Sequence, residues 1–324
     1  MKKKNFSSFF LLNFSDIIRI NQEVRNLGLL SNLEYYYRQK KYPFKNSQEL
    51  QAFPDQLSFV AIIKNEAPYI AEWLEFHRML GVDRFYIYDN NSNDDVMDVL
   101  DSYIKEGIVV YKYCPGTRMQ LKAYQNAVDC YKMRTKYMGF IDLDEFVFPV
   151  NENNLVNVMD EIMRQDSHSA GVGINWRIYG SNGYQLKQEG LVTEVFKKRA
   201  FDSHKANRHI KTICNPRKVT GFITPHNPEY LEGLYNISEQ RKKIVGPFNF
   251  NGTCERIRIN HYFTKSYDEF LSKRERGKAD SFGIRSLEDF NDHNQDKIVD
   301  EIIDRFLPYL KERLQLQKSS QRKI

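Results

Sequence analysis

The sequence predicts an α/β fold in which a mostly parallel central sheet is flanked by helices. Residues 57–63 (LSFVAII) form a short apolar run rich in β-branched residues, which is typical of a strand buried on both faces. Helical and strand-like patterns then alternate as far as residue 141, which indicates βαβ units and a parallel sheet. Polar residues follow three of the predicted strands directly, and ligands of such sheets bind at the carboxyl ends of the strands.

The alternation defines each element after the first strand. Apolar residues at helical spacing predict a first helix that ends at Gly81, and the run FYIY predicts the next strand. The predicted elements are, in order, a helix through residues 70–80, a strand at 85–88, a helix at 96–104, a strand at 108–113, a helix through 121–131 and a strand at 137–141.

The chain divides into three predicted parts. Residues 1–56 form an N-terminal helical extension, and residues 57–290 form the main domain. Within that domain, residues 57–150 contain the alternating strands and helices, and residues 151–290 follow them. Residues 291–324 form a C-terminal helical tail, in which Pro308 is expected to break or bend the helix.

Composition and charge exclude several classes of protein. The net charge of +6 is mild and scattered, so the sequence indicates phosphorylated substrates rather than nucleic acid. The four cysteines form no C-x-x-C pair, which favours a reducing compartment. The apolar run near the N-terminus is too short for a signal peptide, and no stretch approaches the roughly 18 apolar residues of a membrane span. We expect a cytoplasmic enzyme, and peripheral contact with the inner face of a membrane is the alternative.

Acids and amides follow three strands at one predicted edge of the sheet. Residues 64–66 (KNE), 89–92 (DNNS) and 142–145 (DLDE) occupy these positions. Carboxylates and amides there can bind the ribose and base of a nucleotide. Each motif also has a purely structural interpretation, as a turn or a helix cap. Their joint arrangement on one edge favours a binding site.

The Asp-Leu-Asp motif predicts a metal site. In an extended segment, Asp142 and Asp144 share a face while Leu143 points into the core. Two close carboxylates repel each other unless a cation lies between them. Hard oxygen ligands favour Mn²⁺ or Mg²⁺, which would also bind a diphosphate and assist its departure. Solvated turn carboxylates are the structural alternative.

The sequence resembles glycosyltransferase family 92 and related family-2-like enzymes. The resemblance covers about residues 57–280, in order, and it implies a GT-A fold with a metal-dependent site. It also implies a nucleotide-binding half, 57–150, and an acceptor half, 151–290. The motifs that carry it are 62–77 (IIKNEAPYIAEWLEFH), 81–82 (GV), 89–94 (DNNSND), 140–146 (FIDLDEF), 176–183 (WRIYGSNG), 258–270 (RINHYFTKSYDEF) and 273–277 (KRERG).

The resemblance assigns roles to particular residues. His261 stands where GT-A enzymes add a histidine as a further metal ligand to Asp142 and Asp144, although a cleft histidine without metal is the alternative. The other expected contacts are the nucleotide residues Lys64, Asn65, Glu66, Asp89, Asn90 and Ser92, the sugar-binding residues Glu145, Trp176, Tyr179, Gly180 and Ser181, and the phosphate-binding residues Lys211, Lys265 and Arg276.

Two of these expectations also depend on local sequence. An aromatic residue beside the small residues of Gly180–Gly183 suits a sugar close to the backbone, whereas a core tryptophan beside a glycine turn is the alternative. Tyr184 stands where the family often shows histidine, which argues against a catalytic role at that position.

The expected reaction is transfer of a sugar from a nucleotide sugar, preferably a UDP-sugar, to a glycan or lipid-linked glycan, in polysaccharide or lipopolysaccharide biosynthesis. The family is regarded as inverting, so a base in the acceptor half must take the proton of the acceptor hydroxyl. The alternatives are a nucleotidyltransferase, disfavoured because no glycine follows the first strand, and a non-catalytic carbohydrate-binding protein. The sequence does not rank the candidate bases, which are Glu189, Glu194, Asp202, His204 and His226.

Overall fold

The structure is a computed structural model, and it describes residues 52–164, 166–277, 279 and 283–321. Most of the predicted N-terminal extension, residues 1–51, therefore lies outside the described residues. Within the described part of the chain, no helix is both long and apolar enough to cross a membrane.

The chain alternates strands and helices in its first half and is richer in strands in its second. The strands are β1 Asp55–Ile63, β2 Arg84–Asp89, β3 Val109–Tyr113, β4 Thr135–Phe140, β5 Glu145–Pro149, β6 Ser169–Ile178, β7 Lys198–Arg199, β8 Ile210–Cys214, β9 Val219–Phe222, β10 Pro228–Tyr230, β11 Tyr235–Ile237, β12 Lys243–Ile244, β13 Ile257–His261 and β14 Ile298–Val299. The helices are α1 Ala67–Met79, α2 Val96–Lys105, α3 Gln120–Tyr131, α4 Leu155–Met163, α5 Val192–Val195, α6 Tyr267–Glu275, α7 Leu287–His293 and α8 Leu307–Gln321, with 3₁₀ turns at Lys205–Arg208, Pro216–Lys218 and Ile302–Phe306.

The central sheet has the strand order β12-β11-β6-β8-β4-β1-β2-β3. The strands β4, β1, β2 and β3 are parallel, and β8 joins them to β6 by antiparallel pairing on both sides. The α/β prediction is confirmed, as is each predicted element between residues 57 and 141, with boundaries shifted by one to three residues. One sheet thus runs through both predicted halves of the main domain.

The central strand β1 is buried on both faces because helices cover both. Phe59 and Ala61 belong to the core cluster under α1, while Val60, on the opposite face, packs in the cluster under α3. Burying one large apolar side chain stabilises a fold by roughly 1.5–3 kcal/mol, so these two layers fix the sheet and its carboxyl edge.

A second set of pairings brings the end of the chain to this edge. β13 pairs antiparallel with β5 and parallel with β6, which sets His261 opposite Glu145. The motif at the end of β4 and the histidine of β13 are therefore neighbours, although they lie more than a hundred residues apart in the sequence.

The C-terminal tail is helical only in part, and the predicted break at Pro308 lies next to the point where a 3₁₀ turn, Ile302–Phe306, ends and α8 begins. A short strand, β14, pairs with β7, and a 3₁₀ turn precedes α8. Pro308 lies in the first turn of α8. Proline is tolerated there because the first N–H groups of a helix have no hydrogen-bond partner within the helix. α8 packs on the main domain, with Arg313 Nε 2.7 Å from Glu75 Oε2.

Candidate active site

The loops that follow β1 and β2 are joined to each other. The backbone N–H of Asn65 donates to Ser92 Oγ at 2.9 Å, and the N–H of Asn93 donates to Asn65 Oδ1 at 2.9 Å. Asn65 has a φ of 55°, a left-handed conformation that asparagine tolerates better than most residues. The structure therefore brings together Asn65 and Ser92, two residues of the predicted nucleotide site.

Asp89 and Asn90 bind neighbouring parts of the chain. Asp89 Oδ1 accepts from the N–H of Ser92 at 2.9 Å, and Oδ2 accepts from the hydroxyl of Tyr111 at 2.8 Å. Asn90 Nδ2 donates to the carbonyls of Cys114 and Gly116 at 2.8 Å each. These bonds shape the loop, and nucleotide binding by Asp89 and Asn90 stays a prediction.

Arg276, just after α6, closes the same edge. Its Nη1 donates to the carbonyls of Lys64 and Asn65 at 2.6 and 2.8 Å and to Glu66 Oε1 at 2.7 Å. Since this single guanidinium binds three consecutive residues, it fixes α6 against the loop after β1. The predicted phosphate-binding arginine is thus engaged with the predicted nucleotide-binding loop.

The Asp-Leu-Asp motif is a turn, and the expectation of an extended segment is wrong. The N–H of Glu145 donates to the carbonyl of Asp142 at 3.0 Å, and Trp73 Nε1 donates to the carbonyls of Asp142 and Glu145 at 3.1 and 2.9 Å. Leu143 is buried, as predicted. Because the backbone turns here, Asp142 and Asp144 do not share a strand face, and they have separate partners.

Asp142 is bound from the side of α3 and β8. Its Oδ1 accepts from Gln120 Nε2 at 3.0 Å and from the hydroxyl of Tyr124 at 3.2 Å. Its Oδ2 lies 3.0 Å from Lys211 Nζ. The carboxylate keeps about a third of its side chain (34%) exposed, so it remains reachable from the cleft.

Lys211 and Glu145 form a buried pair beneath Asp142. Both side chains are fully buried, with Lys211 Nζ 3.6 Å from Glu145 Oε2. Burial opposes a charge on Lys211, but Asp142 and Glu145 outweigh it and hold the pKa of the lysine well above its ordinary value. Lys211 thus compensates two acids of the motif.

Asp144 has a different pair of partners, Lys273 of α6 and His261 of β13. Its Oδ2 makes a salt bridge with Lys273 Nζ and lies 3.4 Å from His261 Nε2. Burial favours the neutral acid, but Lys273 and His261 outweigh it and keep the pKa of Asp144 well below its ordinary value. Burial lowers the pKa of Lys273 to about 8 against the opposing effect of Asp144. The predicted metal ligands Asp144 and His261 therefore converge.

Three buried polar atoms near Asp144 have no hydrogen-bond partner. They are Nδ1 of His261, Nε1 of Trp176 and Oε1 of Glu145, and the rings of His261 and Trp176 lie 4.2 Å apart between centroids. An unpaired buried polar group costs roughly 1–3 kcal/mol, which hydrogen bonds to a bound ligand at this position would recover. Burial lowers the pKa of His261, so its neutral ring can act as a ligand.

Trp176 is the centre of a cluster of histidines. Its ring stacks on His209 at 4.7 Å and meets the edges of His226 at 5.3 Å and His261 at 4.2 Å. The cluster joins β6 and β13 to the loop between β9 and β10. Sugar binding by Trp176 stays a prediction, now with three histidines around the ring.

The other predicted sugar-binding residues lie against the chain itself. Tyr179 is fully buried, and its hydroxyl accepts from Arg258 Nη2 at 2.9 Å. A Cβ on Gly180 would lie 2.2 Å from Asp296 Oδ1, and the N–H of Ser181 donates to Asn294 Oδ1 at 2.7 Å. The small residues of this loop therefore admit the C-terminal segment closely.

A cleft of about 570 Å³ is lined by Lys273, the ion-pair partner of Asp144. Lys265 also lines it, with Nζ 3.3 Å from the centre of the Tyr69 ring. The cations of the cleft suit a diphosphate, which arginine and lysine bind through charge-assisted hydrogen bonds. These cations are Lys64, Lys187, Lys265, Lys273 and Arg276, and the acids of the same cleft are Asp268, Glu269 and Glu275.

The sequence prediction missed Lys273 and the two residues of α3 that bind Asp142. Lys273 and Arg276 are three residues apart, so they lie on one side of α6 and its end, and this spacing was the available signal. Gln120 and Tyr124 are four residues apart on α3. Nothing in the sequence indicated that their face of α3 meets the acid motif.

The residues at Asp144 fit a divalent cation that binds together with a diphosphate. Asp144 Oδ2 and His261 Nε2 supply an oxygen and a nitrogen ligand 3.4 Å apart. Mg²⁺ commonly takes only one or two carboxylates from the protein and completes its shell with phosphates and water. Among the described residues, no three acidic, histidine or cysteine side chains form a complete cage.

The family model and the similar sequences all indicate the same family. The sequence model of glycosyltransferase family 92 matches residues 60–289. A family 92 protein of Ricinus communis is 31% identical over 253 residues, which cover 75% of this chain and 40% of that protein. One from Arabidopsis thaliana is 25% identical over 237 residues, which cover 67% and 37%. The chain thus spans well under half the length of these relatives.

Solved structures are similar only at a low level. Residues 1–349 of S. aureus TarS in complex with UDP give a TM-score of 0.34 at 12% identity, with 50% of this chain and 47% of that one covered. The mannosyltransferase PcManGT from Pyrobaculum calidifontis, in complex with GDP-Man and Mn²⁺, gives 0.30 at 17% identity, covering 44% and 42%.

Parallel βα units that lead to an acid motif at the carboxyl edge of the sheet define the class of protein as a GT-A-type α/β domain. The match over residues 60–289 spans most of the chain. The chain belongs to glycosyltransferase family 92.

Proposed function

We propose that this chain transfers a sugar from a nucleotide sugar, preferably a UDP-sugar, to a glycan or lipid-linked glycan, with inversion at the anomeric carbon. The observation that carries the proposal is the approach of Asp144 Oδ2 to His261 Nε2, 3.4 Å, together with the ion pair between Asp144 and Lys273, a residue that lines the cleft with five cations. Membership of family 92 supports the reaction class.

The nucleotide binds in this proposal at the loops after β1 and β2. Asn65 and Ser92 are already joined there, and Asp89 lies directly behind Ser92. The complete proposed set is Lys64, Asn65, Glu66, Asp89, Asn90 and Ser92.

The diphosphate lies in this proposal in the cleft lined by Lys265 and Arg276, and Arg276 contacts the nucleotide loop directly. Lys211 is fully buried and acts through its ion pair with Asp142. The cation, Mn²⁺ or Mg²⁺, is held in this proposal by Asp144 and His261, with Asp142 as a third ligand. When bound, it neutralises the charge that develops on the departing nucleoside diphosphate.

The sugar-binding residues of the proposal divide into two groups. Glu145 and Trp176 lie beside the metal ligands and are the strongest candidates for contact with a sugar. Tyr179, Gly180 and Ser181 act in the proposal by shaping the same wall. A role in polysaccharide or lipopolysaccharide synthesis at the inner face of a membrane stays a prediction, since the basic termini lie outside the described residues.

A thermal-shift screen with nucleotide sugars, each with and without Mn²⁺, tests the proposal. We expect UDP-sugars to raise the melting temperature only when Mn²⁺ is present, and slow release of UDP on incubation with the donor alone. Pyrophosphate exchange in place of UDP release would identify a nucleotidyltransferase. Binding of glycans without any nucleotide would identify a carbohydrate-binding protein.

A further inference from the structure

His226 lies on a loop that is fixed to β8 at three points. Its Nδ1 is 2.9 Å from the carbonyl oxygen of Ile210, and its own carbonyl accepts from Thr212 Oγ1 at 2.8 Å. Between these contacts, Lys211 Nζ donates to the carbonyl of Pro225 at 3.5 Å. The loop is therefore held in register with the strand that carries Lys211, and the imidazole has a defined orientation.

The hydrogen bond of Nδ1 determines which ring nitrogen carries the proton. A carbonyl oxygen can only accept, so Nδ1 is the N–H and Nε2 of the neutral ring has a free lone pair. Nε2 makes no hydrogen bond to any residue that the structure describes. It does not belong to the buried polar atoms that lack a partner, so it is not sealed from solvent. It is thus an acceptor that a ligand can reach.

Two neighbours of His226 connect it to the two aspartates of the acid motif. Trp176 contacts both His226 and His261, the partner of Asp144, with centroid distances of 5.3 and 4.2 Å. Lys211 binds both Asp142 Oδ2 and the residue before His226. His226 is therefore one residue removed from the partners of both aspartates, and it belongs to the acceptor half.

The surroundings keep His226 neutral. Burial lowers its pKa well below the ordinary histidine value, and the nearby His209, Lys211 and His261 lower it further. A neutral ring with a free lone pair is the form that a general base requires at the start of the reaction.

The other candidate bases are engaged elsewhere or lie on the surface. Asp202 is bound by Arg199 and Arg177 at 2.6 and 3.3 Å, and Glu194 is bound by Lys311 at 2.5 Å. His204 Nδ1 accepts from the N–H of Ala206 at 3.3 Å, within its own turn. Glu189 is exposed. None of these four contacts a residue that binds Asp142 or Asp144 in the described contacts.

We propose that His226 is the general base of the transfer reaction, an inference that rests on the proposed function. His226 Nε2 takes the proton of the acceptor hydroxyl while that oxygen forms a bond to the anomeric carbon. The bond from this carbon to the phosphate oxygen breaks, and its electron pair leaves with the nucleoside diphosphate. The hydroxyl binds beside Trp176, whose ring forms the wall between His226 and the metal ligands.

The test compares His226→Gln with the matched control His168→Gln, whose histidine is exposed and remote from the cluster. The readouts are UDP release from the UDP-sugar that stabilises the protein most and UDP affinity with Mn²⁺ by calorimetry. For His226→Gln we expect the rate to fall by roughly 10²–10⁴-fold, the usual contribution of a general base. UDP affinity should stay within about twofold, because the nucleotide loops are untouched. The control should change neither.

The outcomes distinguish a wrong assignment of His226 as the base from a wrong assignment of the transfer reaction. A His226→Gln rate within about threefold of the unmodified protein would overturn the assignment of the base and leave the transfer reaction standing. No UDP binding and no UDP release by the unmodified protein would overturn the proposed function. In His226→Ala, recovery of the rate with added imidazole would support the base, and this readout does not depend on how well glutamine fits the loop.

Discussion

Lys273 on α6 makes a salt bridge with Oδ2 of Asp144, the same carboxylate oxygen that faces His261. The ammonium group also donates to the carbonyl of Phe263 at 3.0 Å, so it is held in place from two sides. A protein cation therefore occupies the position from which a divalent cation would bind Asp144. The two cations must compete for that carboxylate.

Removal of this competitor should strengthen metal binding in the absence of nucleotide. For Lys273→Met we expect Mn²⁺ alone to bind roughly tenfold more tightly, equivalent to about 1.4 kcal/mol, because no ammonium has to be displaced. Electron paramagnetic resonance of free Mn²⁺ measures this directly. Lys105→Met, which removes an exposed lysine paired with Asp101, is the control. Weaker Mn²⁺ binding in Lys273→Met would show that the lysine supports the site.

Gly180 should be required for folding rather than for nucleotide binding. A methyl group there would lie 2.2 Å from Asp296 Oδ1 and 2.9 Å from the backbone N of Gln295. We expect Gly180→Ala to destabilise the protein by about 1–3 kcal/mol, the usual cost of overpacking, with UDP affinity unchanged. Urea unfolding and calorimetry measure the two quantities. A stable variant that has lost UDP binding would contradict this account.

Lys211 should contribute strongly to stability because it compensates two carboxylates. Its side chain is fully buried, 3.0 Å from Asp142 and 3.6 Å from Glu145. Breaking a buried ion pair by removing one partner costs about 3–5 kcal/mol, and we expect Lys211→Met to lie in that range. The double variant Lys211→Met with Glu145→Gln should recover part of the loss in urea unfolding. Full stability of Lys211→Met alone would show that the lysine is not needed as a counter-ion.

The stability of the fold should fall in acid because of His77. This buried ring donates from Nδ1 to the carbonyl of Trp73 at 2.8 Å and accepts at Nε2 from the N–H of Val147 at 3.1 Å, so it must be neutral. Burial lowers its pKa to about 3 in the folded protein. The unfolded chain then binds more protons below about pH 6.5, and stability is lost as the pH falls through that value towards 3.

The size of this effect can be isolated with His77→Gln, whose amide can make both hydrogen bonds without titrating. Between pH 7 and pH 5, His77 should account for about 2 kcal/mol of lost stability, and the variant should lack this loss. Urea unfolding at the two pH values gives the difference. The exposed His168→Gln should follow the unmodified protein, and a parallel pH dependence in His77→Gln would contradict the assignment.

The sequence predicted the first half of the fold well because local patterns determine it. The run at 57–63 is apolar throughout since β1 is buried on both faces, and the alternating helices follow directly from their spacing. The strands after residue 150 escaped prediction. Strands such as β8 and β13 are short, and they depend on pairings between residues far apart in the sequence.

The acidic residues of the candidate site could be predicted from the sequence, whereas its cationic residues were harder to predict. Asp142, Asp144 and His261 stand out by type and position, but the turn at Leu143 depends on the bond from Glu145 to Asp142, which no spacing rule anticipates. The ion pair of Lys273 with Asp144 joins residues 129 positions apart and depends on how α6 docks. Side-chain partners of this kind arise only from tertiary packing.

The most direct test of the central claim is UDP binding to Asp144→Asn, measured by calorimetry with and without Mn²⁺. The account predicts that Mn²⁺ tightens UDP binding to the unmodified protein. In Asp144→Asn, the affinity for UDP with Mn²⁺ should fall by at least roughly 10- to 100-fold, which is the usual loss when a residue that supports a metal ligand is changed. Asp101→Asn, an exposed carboxylate on α2, should behave as the unmodified protein. If Asp144→Asn binds UDP with Mn²⁺ as tightly as the unmodified chain, Asp144 does not hold the cation.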